Sequence, residues 1–196
     1  MFFTLAVIVL AVGASYLRGG RLWRLADVTL HLPWLLLVGL ALQVAVDVAS
    51  ARGLLGDATT EGWVLLLISQ VLVVAWVIAN RHLPGTVLIA LGLVLNAVVI
   101  AANGAMPVAP EALAALGAEP GVTPTGKHTL LTEETRLPWL ADILPLPPLR
   151  SVISVGDIVL AAGLLPLTHA LMTYRPVEER RRARSSAPAD GDADQA

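Results

Sequence analysis

Polar side chains that could form a binding site lie within long apolar runs of this 196-residue chain. Asp157 is a lone carboxylate near the start of the last run, in the string Ser-Val-Gly-Asp. Asn96 and Asn103 are seven residues apart, and Gln43 and Asp47 are four apart, so each pair shares one face of a helix. Polar groups in apolar spans usually face the interior or line a cavity. We predict a polar pocket, and its candidate residues are Asp157, Asn103, Asn96, Gln43, Asp47, Lys127 and His128.

Asp157 has two interpretations. Ser154 and Asp157 have the spacing of a capping box, in which a serine and an acid satisfy the first backbone amides of a helix. A carboxylate at this depth could equally be a functional group of the pocket. Amide side chains such as Asn96 and Gln43 also commonly bond a neighbouring helix. The sequence leaves the structural and the functional interpretations open.

Several kinds of chemistry are excluded or unsupported. The chain has no cysteine, which excludes zinc-thiolate, iron-sulfur and thiol-nucleophile sites. It carries no nucleophile elbow, paired-histidine helix or glycine-rich phosphate loop. His128 could join Glu133, Glu134 or Asp142 at a metal, but the spacing matches no known ligand pattern. We therefore predict no catalytic residue, no metal and no cofactor, and the net charge of −2 gives no reason to expect nucleic acid as a partner.

The elements that position these residues are five apolar runs, each near the length of about 20 residues that crosses a bilayer as a helix. Hydrophobic residues make up 56% of the chain and charged residues 14%. The predicted fold class is an all-α, polytopic helical membrane bundle. Its predicted spans are residues 1–17, 27–48, 62–79, 85–103 and 151–173. The first run could also be a signal peptide, but it lacks a positive leading region, so an uncleaved helix is favoured.

The distribution of basic residues predicts the orientation of the chain. With the N-terminus outside, nine Lys and Arg residues fall on the cytoplasmic side and four on the other, as the positive-inside rule requires. This predicts a multi-pass protein of the cell membrane with a cytoplasmic C-terminus. Residues 104–150 then form an extracytoplasmic loop, residues 174–196 form a mostly disordered cytoplasmic tail, and the polar pocket faces outward.

The long loop, residues 104–150, is rich in proline. Pro110 followed by Glu111 predicts the first turn of a short helix. The later stretch 137–149 is apolar but contains four prolines, so it cannot be one regular helix. We expect it to lie along the outer membrane surface or to enter the mouth of the bundle.

Four strings carry a resemblance to a known family. They are Gly-Gly-Arg-Leu at 19–22, Asn-Gly-Ala-Met-Pro-Val at 103–108, Leu-Ala-Asp-Ile-Leu-Pro-Leu-Pro at 140–147, and Ser-Val-Gly-Asp-Ile at 154–158. In this order the chain resembles a family of small bacterial integral membrane proteins classed as a domain of unknown function. The resemblance covers about residues 18–173. It implies a bacterial membrane protein and brings no activity or ligand with it.

Three classes of function are compatible with this pattern. The first is a binding or accessory membrane protein whose outward pocket takes a small molecule, a lipid or a protein partner. The second is a small transporter or channel component, although the chain lacks two matching halves with paired broken helices. The third is a membrane-embedded enzyme, which would need a nucleophile or base aligned with a partner. Membrane lipid is the one partner that all three share.

The orientation can be tested with reporters. A reporter that is active only in the cytoplasm should give signal when fused after Ala196 and none when inserted near Gly121. The reverse pattern would contradict the predicted orientation.

Overall fold

The computed structural model describes residues 2–52, 60–118 and 128–174 of the chain, and most of these residues are helical. Lys127 and the predicted cytoplasmic tail, apart from Tyr174, lie outside the described residues. The helices are α1 Phe2–Leu17, α2 Pro33–Ala51, α3 Thr60–Ala79, α4 Thr86–Asn103, α5 Pro110–Ala115 and α6 Val155–Thr173. The strands are β1 Met106–Val108, β2 His128–Leu130, β3 Leu144–Leu146 and β4 Ser151–Ile153. The described part of the chain is therefore mainly helical, and it also contains four short strands, which the all-α prediction did not include.

The ends of the helices follow local sequence signals. Helix α2 begins at Pro33, six residues after the start predicted from hydropathy, because proline is favoured at the first helical position. Residues Leu22–Asp27 instead form a 3-10 helix. Helix α4 ends at Gly104, whose left-handed backbone (φ 76°) directs its N–H to the carbonyl of Ile100. Apolar composition thus locates the helices, while proline and glycine set their limits.

Two of the described helices are long and apolar enough to cross a membrane, judged by length and composition. They are α4, with a mean hydropathy of 2.2, and α6, with a mean hydropathy of 1.6. Three shorter apolar stretches lie in the other long helices, at Phe3–Leu17, Pro33–Ala49 and Val64–Ala79. Two of the predicted spans therefore have the length and composition of a membrane-crossing helix.

The five long helices pack in the order α1, α6, α4, α3, α2. The amide of Asn80, at the end of α3, bonds the backbone of His31 just before α2, so these two helices are antiparallel. Gly85, directly before α4, lies against Gly163 of α6, and Gly92 of α4 lies against Gly156, so α4 and α6 also run in opposite directions. The direction of the chain therefore alternates from α1 through α2, α3 and α4 to α6.

The main apolar core lies between α2, α3, α4 and α6. Its largest buried side chain is Trp76 of α3, and α3 also contributes Val77, which is 1% exposed. Ile89 of α4 and Leu167 of α6 complete the contact from the other side. A second cluster, around Val99 and Met106, lies where α4 meets the segment that follows it.

Helices α4 and α6 approach each other at glycines. A Cβ atom added to Gly163 would lie 2.6 Å from the carbonyl oxygen of Gly85 and 2.8 Å from the backbone nitrogen of Ile89. One added to Gly92 would lie 2.7 Å from the backbone nitrogen of Leu160. Small residues at such contacts let helix backbones pack directly against each other. The seven-residue spacing of the glycines on both helices keeps them on one face.

Residues 104–118 and 128–153 form a folded unit at one end of the bundle, which we call the cap. Strand β1 is buried and pairs in parallel with β2, and Val108 forms a bridge with Asp142 on its other side. Strands β3 and β4 pair in antiparallel register, and β4 leads directly into α6. The helix predicted after Pro110 is present as α5. The cap thus connects the end of α4 to the start of α6.

The glycine contact leads to a stability prediction. Gly163→Ala should lower the free energy of unfolding by about 1–3 kcal/mol, because the new methyl group meets backbone atoms that cannot move independently. Gly13→Ala is the matched control, since no atom lies within 4 Å of its added Cβ and alanine is the better helix former. Thermal unfolding in detergent is the measurement. Equal melting temperatures for the two variants would contradict the close contact of α4 and α6.

Candidate functional site

The polar cluster predicted around Asp157 is built from three side chains on two helices. Asn96 of α4 donates from Nδ2 to Oδ1 of Asp157 at 2.9 Å, and it accepts at Oδ1 from the hydroxyl of Ser154 at 3.0 Å. The Ser154 hydroxyl in turn accepts from the backbone N–H of Asp157 at 3.1 Å, while the backbone N–H of Ser154 donates to Oδ2 of Asp157 at 3.0 Å. The three residues therefore form a closed ring of hydrogen bonds.

Local sequence explains this geometry. Ser154 has an extended backbone (φ −97°, ψ 170°), and both bonds of a capping box are present between it and Asp157. The carboxylate sits in the first turn of α6, where the helix dipole favours negative charge. Glycine at position 156 allows α4 to approach α6, because a Cβ atom there would collide with the amide oxygen of Asn96. The ring depends on glycine at that position.

The ring satisfies the groups that form it. Both carboxylate oxygens of Asp157 accept hydrogen bonds, and Ser154 is completely buried. A fully connected polar cluster between packed helices rigidifies the contact, whereas a half-connected one would be costly. The capping interpretation of Asp157 therefore matches the geometry, and the bond to Asn96 adds a link between α4 and α6.

Asn103 belongs to a different contact. Its Nδ2 donates to the carbonyl oxygen of Arg136 at 2.9 Å, and its Oδ1 accepts from the N–H of the same residue at 2.8 Å. The Nδ2 also donates to the carbonyl oxygen of Val99 within α4. The side-chain amide thus pairs with both the N–H and the carbonyl oxygen of Arg136, as the backbone of a neighbouring β-strand would. Asn103 therefore attaches the cap to the end of α4.

His128 lies in the cap beside a buried acid. Its Nε2 is 3.6 Å from Oδ2 of Asp142, whose side chain is 7% exposed, while the imidazole is 33% exposed. The backbone of Asp142 is fixed on both sides, since its N–H donates to the carbonyl oxygen of Pro107 and its carbonyl oxygen accepts from Ala109. Within the described ranges, no group of three or more metal-binding residue types is close enough to hold an ion. The pair therefore consists of a partly exposed imidazole close to a carboxylate whose backbone is fixed by two hydrogen bonds.

The remaining predicted residues are not part of this ring. Gln43 and Asp47 are half-buried on α2, and α2 packs against α3 rather than against α6. Lys127 lies outside the described residues. The single pocket predicted from the sequence is therefore divided, among the described residues, into the Asn96 ring, the Asn103 contact and the His128 pair.

Sequence reasoning did not predict the hydrogen bonds of Asn80 at the end of the bundle opposite the cap. Asn80 is completely buried, and its side chain accepts from the N–H of His31 and donates to the carbonyl oxygens of His31 and Trp76. His169 of α6 also lies 3.2 Å from the hydroxyl of Ser15 at the end of α1. The available signal was a lone asparagine directly after an apolar run, the same pattern that Asn103 shows.

The ring predicts an energetic coupling between Asn96 and Asp157. In a double-mutant cycle, Asn96→Ala and Asp157→Ala should be non-additive by about 0.5–2 kcal/mol, because each change removes the same interhelical bond. Thermal unfolding of the four proteins in detergent supplies the free energies.

The control cycle replaces Asn96 by Asn103, which lies about 10 Å further along α4 by helix rise and bonds a different segment. Asn103→Ala and Asp157→Ala should be additive to within about 0.5 kcal/mol. Additivity in both cycles would contradict the ring. Equal coupling in both cycles would show that the coupling does not come from the hydrogen bond between Asn96 and Asp157.

Comparison with known proteins gives a family but no activity. A family of unknown function, DUF5317, matches residues 27–168. An uncharacterized protein of Thermotoga maritima is 39% identical over 105 residues, which is 52% of this chain and 60% of that relative, so the match leaves part of the relative uncovered. No solved structure matches the chain. The predicted resemblance to a family of unknown function is confirmed, and the chain belongs to the DUF5317 family.

Proposed function

We propose that this chain is an integral membrane protein of five spans that acts as a binding or accessory protein through its cap. The observation that carries the membrane part is the apolar exterior of every long helix. Large hydrophobic side chains are exposed on all five, for example Leu10 (67%), Leu37 (66%), Val71 (65%), Val87 (71%) and Leu165 (47%). Soluble proteins rarely expose contiguous apolar surface on this scale, whereas lipid tails are a matching solvent.

The charges at the two ends of the bundle support an orientation with the cap outside. The described residues between the helices at the end opposite the cap carry four arginines against one aspartate. These are Arg18, Arg21, Arg24, Arg81 and Asp27. The described cap carries more acids than bases, namely Glu111, Glu133, Glu134 and Asp142 against Arg136 and Arg150. Basic residues next to spans favour the cytoplasmic side.

The same geometry favours binding over transport. Helices α4 and α6 touch backbone to backbone at their glycines, which leaves no room for a solute path between them. The polar groups that could have lined such a path bond one another in the Asn96 ring. A transporter would need polar groups available to its substrate at this depth.

The cap supports a protein partner better than a small molecule. Its surface combines exposed Trp139 (61%) and Leu144 (38%) with the partly exposed His128. Tryptophan surrounded by polar groups is typical of protein contact surfaces. The attachment of Asn103 to Arg136 holds this surface in a fixed position on the bundle. We therefore propose that the cap binds another protein at the outer face of the membrane.

A photo-crosslinking experiment in intact cells tests both parts of the proposal. A benzophenone side chain at Glu133 in the cap should give a discrete protein adduct, and His128→Ala should weaken that adduct by about tenfold, the loss expected from one good interface side chain. The same probe at Leu91 on the exterior of α4 should give lipid adducts. Arg81, exposed at the opposite end, is the control position.

Two outcomes would contradict the proposal. A protein adduct from Arg81 with none from Glu133 would place the binding role at the wrong end of the bundle. The absence of any lipid adduct from the probe at Leu91 would contradict the membrane setting.

A further inference from the structure

A strap of twelve residues, 21–32, crosses the end of the bundle opposite the cap. It begins on α6, where the N–H of Arg21 donates to the carbonyl oxygen of Met172 at 2.8 Å. It ends on α3, where the side chain of Asn80 bonds both the N–H and the carbonyl oxygen of His31 at 2.9 Å. The strap is therefore pinned at both ends to helices that are not its neighbours in sequence.

The strap exposes several large apolar side chains. Its 3-10 helix, Leu22–Asp27, has no buried residue. Leu22 is 52% exposed, Trp23 is 67% exposed and Leu25 is 42% exposed. Tryptophan and leucine beside arginine form the composition that lies at a membrane-water interface.

Arg21 is held in one orientation at the centre of this surface. Its guanidinium carbon lies 5.2 Å from the centre of the Tyr16 ring and 5.7 Å from the centre of the Trp23 ring. One guanidinium nitrogen donates to the carbonyl oxygen of Gly20 at 3.2 Å. Arginine has five N–H donors in a rigid planar fork that suits phosphate oxygens. The guanidinium therefore contacts two rings and one carbonyl oxygen, and its other donors can serve a ligand.

The turn before Arg21 is equally well defined. Gly19 has a left-handed backbone (φ 86°), and the N–H of Gly20 bonds the carbonyl oxygen of Ser15 while that of Gly19 bonds Tyr16. These are the two bonds of a Schellman motif, which ends α1 and turns the chain towards α6. The turn brings Tyr16 and Arg21 together, so the contact of the guanidinium with this ring follows from the backbone.

We propose that Arg21, assisted by Arg18 and Arg24, binds the phosphate of an anionic glycerophospholipid at this end of the bundle. The inference rests on the proposed membrane setting. Charge complementarity supports the ligand, because among the described residues this end carries four arginines and a single aspartate, Asp27. Exposed Trp23 and Leu22 favour a lipid over free phosphate, since they can contact the glycerol and upper acyl region while the arginine holds the headgroup.

Native mass spectrometry of the full chain in detergent, titrated with phosphatidylglycerol or phosphatidylcholine, tests this site. One arginine near an anionic surface contributes about fivefold to affinity. The double variant Arg21→Gln and Arg24→Gln should therefore bind phosphatidylglycerol about thirtyfold more weakly than the unchanged chain. Arg52→Gln with Arg136→Gln, two exposed arginines at the other end, is the matched control and should retain binding.

Arg21→Lys separates a shaped site from general attraction. It keeps the charge but loses the guanidinium group that contacts the two rings, and it should weaken phosphatidylglycerol binding roughly threefold. Its melting temperature in phosphatidylcholine alone should be unchanged, which excludes a folding defect as the cause. Full retention of binding by Arg21→Lys, or equal weakening by the control pair, would overturn the site.

Two further measurements distinguish a lipid site from a phosphate site, and the lipid site from the membrane setting. Inorganic phosphate that competes as well as phosphatidylglycerol would overturn the lipid assignment. Incorporation into phosphatidylcholine vesicles, tested by resistance to alkaline extraction, reports on the membrane setting by itself. A protein that incorporates but shows no arginine-dependent preference refutes only the lipid site, while one that fails to incorporate refutes the proposed function.

Discussion

The direct contact between the backbones of α4 and α6 is the constraint on which the rest of the structure depends. Without Cβ atoms at Gly92, Gly156 and Gly163, the two helices lie close enough for Asn96 to reach across to Ser154 and Asp157. That ring fixes where α6 starts. The start of α6 in turn fixes β4 and therefore the side of the cap that is joined to it.

A second constraint is the partnering of polar groups in an apolar structure. In the proposed membrane setting, water is absent from the outside of the helices, so a polar group must find its partner within the protein. The amides of Asn80, Asn96 and Asn103 do so in the same manner, each bridging a helix to a different segment. Asparagine is short and offers both a donor and an acceptor, which suits it to this role. Asn80 and Asn103 thus connect segments at the two ends of the bundle, and Asn96 connects two helices between its centre and the cap.

The two ends then differ in character. The cap end presents a folded surface with an acidic excess among the described residues, and Trp139 is exposed on it. The opposite end presents arginines and interfacial side chains on the strap. In the proposed orientation this difference assigns the proposed protein contact to one side of the membrane and the proposed lipid contact to the other. Both contacts rest on segments that are pinned by side-chain to backbone hydrogen bonds.

Hydropathy and capping signals predicted the helical character and the capping box, because both depend on residues near each other in the sequence. The start of α2 was predicted six residues early, since an apolar count does not distinguish helix from the extended approach to Pro33. The sequence did not predict that Asn96 and Asn103 bond different segments. Depth in a bilayer can be estimated from the sequence, but the partner of each amide depends on which helices are neighbours.

The central claim is that the apolar exterior of a bundle locked at α4 and α6 faces lipid. Because the chain has no cysteine, single cysteines can be introduced without background. Leu91→Cys and Val98→Cys place cysteines on the exposed apolar surface of α4, and Arg81→Cys places one in the exposed turn between α3 and α4. In native membranes a water-soluble maleimide should react with the cysteine at 81 and leave those at 91 and 98 unmodified. Equal reaction at all three positions would contradict the account.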